Sequence, residues 1–180
     1  MQALLADQGT TFVNHFVSLS LCCPSRTSIL RGQYAHNTQI FTNDSPGGGF
    51  QKAHDLGMED STFATWLRDA GYRTILIGKY LNGYPGNLGA EYIAPGWDEW
   101  FSGEQNQYQQ FNYTANDNGT IVRYGNAPED YEQDVFRGKA VDFIQRVADS
   151  GQPFLMWMTT YSPHQPATFA PRHADEFPDA

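Results

Sequence analysis

Cys22-Cys23-Pro24-Ser25-Arg26-Thr27-Ser28-Ile29-Leu30-Arg31-Gly32 contains both cysteines of the chain and sets the first of them four residues before an arginine. A proline in the first turn of a helix sacrifices no hydrogen bond, because the missing N–H would have had no partner there. With Pro24 opening a helix, Cys22 and Arg26 share one helical face. A reactive group then sits at a helix N-terminus, where unpaired N–H groups and the macrodipole attract anions, with a guanidinium beside it. Such an arrangement suits an anionic ester, whose oxygens a guanidinium can grip in pairs. The plainer alternative is a helix start carrying a buried cysteine pair.

The surrounding elements must hold this turn. Thr10 to Ser18 alternates apolar and polar residues (Phe12, Asn14, Phe16) and predicts a strand that delivers the chain to Cys22. A helix follows from about Pro24 to Leu30, with Gly32 as its stop. Residues 36–57 are polar and read as loop, most of all at Ser45-Pro46-Gly47-Gly48-Gly49. Asp60-Ser61-Thr62 offers an N-cap for a helix with Phe63, Trp66, Leu67 and Ala70 at helical spacing, closed by Gly71. Arg73 to Ile77 is a short buried strand running into Gly78-Lys79. Strand-like pieces are expected at 111–114 and 120–124, a helix at 131–147 and an apolar strand at 153–158. The acids from Glu129 to Asp134 read as a helix start that complements the dipole. Helix–glycine–strand units of this kind predict an α/β fold, a sheet covered by helices.

Composition narrows the function classes. The 180 residues are 40% apolar, 14% aromatic and only 17% charged, enough to build a core. A net charge of −9 argues against a nucleic-acid-coating surface, so an anionic substrate must be drawn by a local pocket. No apolar run reaches the length of a membrane span. Adjacent cysteines cannot staple distant segments, and two are too few for a structural zinc site. Asn43, Asn112 and Asn118 head Asn-x-Ser/Thr tripeptides that fit a secreted glycoprotein but also arise by chance, so the compartment stays open.

The Cys22–Gly32 stretch resembles the signature of the sulfatase family, Cys-x-Pro-Ser-Arg followed by a Leu-x-Gly turn. Other segments match in order: Tyr34-Ala35-His36-Asn37, Gly71-Tyr72-Arg73-Thr74, Gly78-Lys79-Tyr80-Leu81-Asn82, Pro95-Gly96-Trp97, Phe111-Asn112-Tyr113-Thr114 and Ser162-Pro163-His164-Gln165-Pro166. The wording is most similar to the N-acetylglucosamine-6-sulfatase and heparan-sulfatase branch, over roughly residues 8–172. The resemblance implies an alkaline-phosphatase-like α/β sandwich, with a mixed, mainly parallel sheet flanked by helices. It also implies that residues 1–180 are the N-terminal part of a catalytic domain, without its first strand, so that Phe154 to Met158 would lie open.

In that family the first cysteine of the motif, here Cys22, is oxidised to formylglycine by a formylglycine-generating enzyme. The hydrated aldehyde supplies one hydroxyl to attack sulfur and a second to release the sulfate afterwards. By the same resemblance Arg26 steadies that group, Lys79 contacts the sulfate, and His164 binds the sulfate or protonates the leaving oxygen. A divalent cation, calcium by resemblance, assists. Modified Cys22 is the one metal ligand expected within this chain; paired aspartates and a later metal pair are expected outside it. Asp7 and Asp44 stand in the wrong context for ligands, Cys23 reads as a packing residue, and His36 and Asn37 as supports of the helix exit, with substrate contact as their alternative.

Two departures stand out. Leu81 occupies a position that is histidine in many sulfatases, and Arg31 stands where threonine is usual. The expected partners are a sulfated carbohydrate or other small sulfate ester and the maturation enzyme, with no nucleic acid. Two alternatives remain at this point: a phosphonate or phosphodiester hydrolase of the same superfamily, and a carbohydrate-binding relative that has lost catalysis.

Overall fold

The apolar run Arg73-Thr74-Ile75-Leu76-Ile77-Gly78 forms strand β1 (Arg73–Gly78), buried from its second residue onward. A strand covered on both faces needs no polar alternation, and this one has none. In the computed structural model, which describes residues 2–176, β1 pairs in parallel with β2 (Glu99–Gln105) on one side and β5 (Phe154–Thr159) on the other. The hairpin of β3 (Thr114–Asp117) and β4 (Thr120–Arg123) continues the sheet antiparallel from β2. The order is β4-β3-β2-β1-β5, with β3 alone running against the rest. This is the mixed, mainly parallel sheet that the resemblance implies.

Strand pleating divides the core into two faces. Leu76 joins Trp100, Leu155 and Trp157 on the first, where α1 (Cys22–Arg31), α3 (Gly49–Asp55) and α4 (Phe63–Asp69) contribute Cys23, Leu30, Phe50, Ala53 and Ala64. Ile75 and Ile77 join Phe101 on the second, covered by α5 (Glu132–Ala148) through Phe136, Ala140, Phe143 and Val147. Those four repeat at the spacing of one helical stripe. The short helix α2 (Ala35–Thr38) packs against α1.

Local signals explain several boundaries. Thr62 caps α4: its hydroxyl accepts from the Thr65 N–H, while the Thr65 hydroxyl accepts from the Thr62 N–H. Gly32 ends α1 in the left-handed conformation, with φ +62°. Helix α1 begins at Cys22 and places Pro24 within its first turn, where a proline is tolerated.

The structure corrects four expectations. Residues 10–18 form no strand; Phe12, Val13, Phe16 and Val17 are exposed. Alternation marks a segment suited to a sheet, but a ladder needs a neighbouring backbone, and among the described residues none pairs with this one. The stretch 36–57 is not plain loop: it contains α2 and α3, and Phe50 and Ala53 are fully buried. Strand β2 lies where no strand is expected, because Glu99-Trp100-Phe101-Ser102-Gly103 breaks the alternation although four of its residues are buried. In α4, Trp66 is exposed while Ala64 is buried, so the packed face is rotated from the expected one. At the sheet edge, Phe154 and Met158 of β5 are exposed.

Candidate active site

Strands β1, β2 and β5 run in the same direction, so their carboxyl ends share one rim of the sheet, the place where open α/β sheets bind ligands. Each end carries a residue that matters. Lys79 follows β1 directly; Tyr108 stands in the single turn Gln107–Gln109 after β2; His164 stands in the loop after β5. The N-terminus of α1, with Cys22 as its first residue, is brought to the same rim by Arg26.

The Lys79 backbone ties the elements together. Its carbonyl accepts from Arg26 Nη1 at 2.7 Å and from the Thr159 hydroxyl at 2.6 Å, while its N–H donates to the Thr159 carbonyl at 2.8 Å. One carbonyl therefore links α1, β1 and β5. Gly78 makes this possible: its φ is +108°, and a Cβ there would collide with the Thr159 carbonyl oxygen. Arg26 also lies over the Trp157 ring, 5.9 Å from its centroid. Burial lowers the pKa of Arg26 from its ordinary value, yet a guanidinium is basic enough to stay charged.

Cys22 and Cys23 differ sharply. Cys22 is half-buried and lines a cavity of about 380 Å³ together with Ser25, Arg26, Trp157 and Thr159. Cys23 is fully buried, and its N–H donates to Asn43 Oδ1 at 2.8 Å. Burial pushes the Cys23 thiol pKa up, although the charge of Lys79 pulls the other way, so it stays a protonated packing group. The two thiols are free.

Lys79 is buried, with 7% exposure, and makes no ion pair among the described residues. Its ammonium lies 5.5 Å from the centroid of the Tyr108 ring. It borders a second cavity of about 280 Å³, lined by Asn82, Glu104, Gln107, Tyr108 and Tyr161 among others. His164 is exposed, and its ring centroid is 4.5 Å from that of Tyr108. Its Nδ1 lies 2.8 Å from the Gln165 carbonyl. A carbonyl can only accept, so Nδ1 carries the proton and Nε2 is left to exchange one with a ligand.

The structure thus brings Cys22 and Arg26 into one cavity, joins Arg26 to the Lys79 backbone, and joins Lys79 to His164 through Tyr108. It shows no direct side-chain contact between Cys22 and Lys79 or His164. Three residues that hold the site were not picked out from the sequence: Asn43, Thr159 and Tyr108. Asn43 is visible there only as a possible glycosylation position, and its role depends on a loop folding back over 20 residues.

Residues 1–180 match the family model described as Sulfatase. The chain belongs to the sulfatase family. It is 38% identical over 180 residues to the N-acetylglucosamine-6-sulfatases of Bos taurus and Homo sapiens, covering 98% of this chain and 32% of each relative. It is 31% identical over 176 residues to an N-acetylglucosamine-6-O-sulfatase of Bacteroides thetaiotaomicron, covering 96% of this chain and 27% of the relative. Among solved structures, one in complex with its substrate D-glucosamine-2-N,6-O-disulfate aligns with a TM-score of 0.71 at 26% identity, over 94% of this chain and 30% of that one. A sulfatase from Pseudoalteromonas sp. shares the fold, with a TM-score of 0.59 at 20% identity, over 85% of this chain and 36% of that one. The chain spans about a third of the length of the curated sulfatases it matches.

Both departures from the sulfatase pattern have structural partners. Leu81 is 4% exposed: most of it packs in the first core face, and the remainder forms part of the wall of the Lys79 cavity. Arg31 donates to the carbonyls of Ser61 at 2.5 Å and Met58 at 3.4 Å, fastening the end of α1 to the segment before α4. For the cation of the sulfatase resemblance, the fit is poor: among the described residues no group of three or more His, Cys, Asp or Glu could hold a metal ion. Asp7 and Asp44 are both exposed.

Proposed function

We propose that residues 1–180 are part of the catalytic domain of a sulfatase that hydrolyses sulfate esters of amino sugars or glycosaminoglycan-like chains. Cys22, matured to formylglycine by a formylglycine-generating enzyme, would supply the nucleophile. The observation that carries this reading is the shared carbonyl of Lys79, which fixes Arg26, and with it the α1 N-terminus bearing Cys22, against the carboxyl ends of β1 and β5. The substrate class is supported by the relatives' names and by the glucosamine disulfate bound to one structural neighbour.

In this reading the helix N-terminus and Arg26 balance negative charge growing at the Cys22 position. The buried Lys79 ammonium, lacking a carboxylate partner among the described residues, receives the sulfate oxygens; an uncompensated buried cation gains most from an anionic ligand. His164, once protonated on both ring nitrogens, gives its Nε2 proton to the departing sugar oxygen and keeps the Nδ1 proton on the Gln165 carbonyl. A bound divalent cation, calcium by resemblance, would add charge neutralisation. The described residues do not make its site by themselves, and none of the steps above passes through it.

The test is co-expression of the complete protein with a formylglycine-generating enzyme, followed by tryptic mass spectrometry and assay on glucosamine 6-sulfate and an aryl sulfate. The expected mass loss maps to Cys22, and Cys22→Ala abolishes turnover. Arg26→Ala and His164→Ala each slow turnover by about 10²-fold, the usual loss on removing a charge-stabilising or proton-transfer group. A mass loss at Cys23, or near-normal turnover in these variants, would refute the assignment.

A further inference from the structure

One aromatic ring touches both of the groups assigned to the sulfate. Tyr108 lies 5.5 Å from the Lys79 ammonium and 4.5 Å, centroid to centroid, from the His164 ring. A third contact holds the ring itself: buried Tyr161 meets it edge-on at 5.1 Å, with an interplanar angle of 84°. The three partners come from separate places, the end of β1 and two points in the chain after β5. Tyr108 comes from the turn after β2. No hydrogen bond or ion pair fixes the Lys79 ammonium among the described residues, so its four-carbon stem is held by packing and by this ring.

We propose that Tyr108 is a positioning residue, whose ring sets the Lys79 ammonium and the His164 imidazole in register with each other. The proposal rests on the sulfate-ester reading given above. The physics is that of a cation over a ring quadrupole: the attraction strengthens as the cation is desolvated, and Lys79 is 7% exposed. A free lysine side chain samples many rotamers, and fixing them in advance spares the ligand that cost. The same ring blocks one side of His164, whose Nδ1 is already committed to the Gln165 carbonyl. Nε2 is thereby presented from a restricted orientation. Tyr108 acts through these two groups and needs no contact of its own with the ester.

The experiment separates ring from bulk in the complete, matured protein. Tyr108→Phe keeps the ring; Tyr108→Leu keeps much of the volume and removes the quadrupole. The expected result is that Tyr108→Leu loses about 10-fold or more in kcat/KM, within the range that a desolvated cation–π contact and a slight misplacement of reacting groups can account for. Inhibition by inorganic sulfate weakens in parallel, and Tyr108→Phe recovers most of both. Reactivity provides a readout that needs no turnover. Acetylation of Lys79 and diethyl pyrocarbonate modification of His164, mapped by mass spectrometry, are faster in Tyr108→Leu than in Tyr108→Phe. Should Tyr108→Leu not fold, Tyr108→Met serves the same comparison, since it also lacks the ring. Equal kinetics and equal labelling in the ring-bearing and ringless variants would overturn the proposal. Full turnover in Lys79→Ala would instead sink the sulfate reading, and the labelling series would still decide whether Tyr108 positions the two side chains.

Discussion

The two faces of the sheet each bury a glutamate, and they treat it in opposite ways. On the first face Glu59 is 3% exposed and accepts from the hydroxyls of Tyr80 at 3.0 Å and Tyr92 at 3.1 Å, with His54 Nδ1 at 2.7 Å. On the second face Glu132 is 0% exposed. Its Oε2 has a weak 3.3 Å donor in Gln133, and its Oε1 has no partner. A buried carboxylate costs several kcal/mol unless donors replace its water. Glu59 has three such groups and serves as a node that clamps Tyr80, the residue after Lys79, to α3 and to the 82–97 loop. Glu132 has the burial with too few donors: desolvation lifts its pKa to about 8, although the Gln110 side chain pulls the other way and the residue stands at the start of α5. Position at a helix N-terminus therefore does not decide ionisation; the count of donors does.

The largest expected effect breaks the well-partnered member. Glu59→Leu leaves two tyrosine hydroxyls and an imidazole without their acceptor, and should cost about 3 kcal/mol or more. Glu59→Gln, which keeps one accepting oxygen, should cost about half of that or less. Urea midpoints of the complete protein measure both. A loss below about 1 kcal/mol for Glu59→Leu would mean that the node contributes little beyond packing.

The second prediction concerns Glu132 and carries a sign. Its folded-state pKa, about 8, lies above the ordinary carboxylate value of 4.5, so the native state binds the proton more tightly than the unfolded chain between those limits. Its contribution is complete below about pH 4.5 and is lost as pH rises toward 8, by up to about 1.4 kcal/mol per unit. Glu132→Gln cannot ionise, so the stability difference between variant and parent should grow in the variant's favour from pH 5 to pH 8. Thermal or urea unfolding across that range reads it directly. Parallel curves for the two proteins would show that Glu132 finds donors in solution and that the contrast with Glu59 is false.

The sequence reveals the frame more readily than these nodes. β1, β5 and α5 are legible because their apolar periods are unbroken, and the α4 start because Thr62 caps it. The α1 turn is legible because motif and helix chemistry agree at Cys22 and Arg26. Glu59 is hidden: it follows a stretch that reads as polar loop, and its three donors come from residues 54, 80 and 92. Tyr108 is hidden for the same reason, since ring contacts with residues 79, 161 and 164 exist only once the sheet is assembled. Glu132 reads as one more acid at a helix start, a reading that suits exposed Glu129 but not its buried neighbour. Residues 10–18 err in the other direction, because local alternation is present and a partner strand is not. Local pattern is written in adjacent residues, whereas the satisfaction of a buried polar group is a long-range property.

The smallest expected effect sharpens the comparison with a third carboxylate, at the start of the central strand β2. Glu99 receives two hydrogen bonds from Arg146, at 2.9 and 2.7 Å, and one from Arg73 at 3.1 Å. These charged donors, Arg146 foremost, hold its pKa below the ordinary value, the opposite direction to Glu132. Its contribution is therefore present above the unfolded pKa and lost as pH falls, so the two glutamates slope in opposite directions. The Arg146 side chain is 46% exposed, however, and solvent screens such pairs. Arg73 also remains to hold Glu99 when Arg146 is removed. Arg146→Ala should thus cost only about 0.5–1 kcal/mol, and less in high salt, where an exposed pair is weakened. Unfolding measured at low and high ionic strength is the check. A loss of several kcal/mol that ignores salt would show that Glu99 behaves as a buried node like Glu59, and that exposure of the donor is a poor guide to what its carboxylate partner is worth.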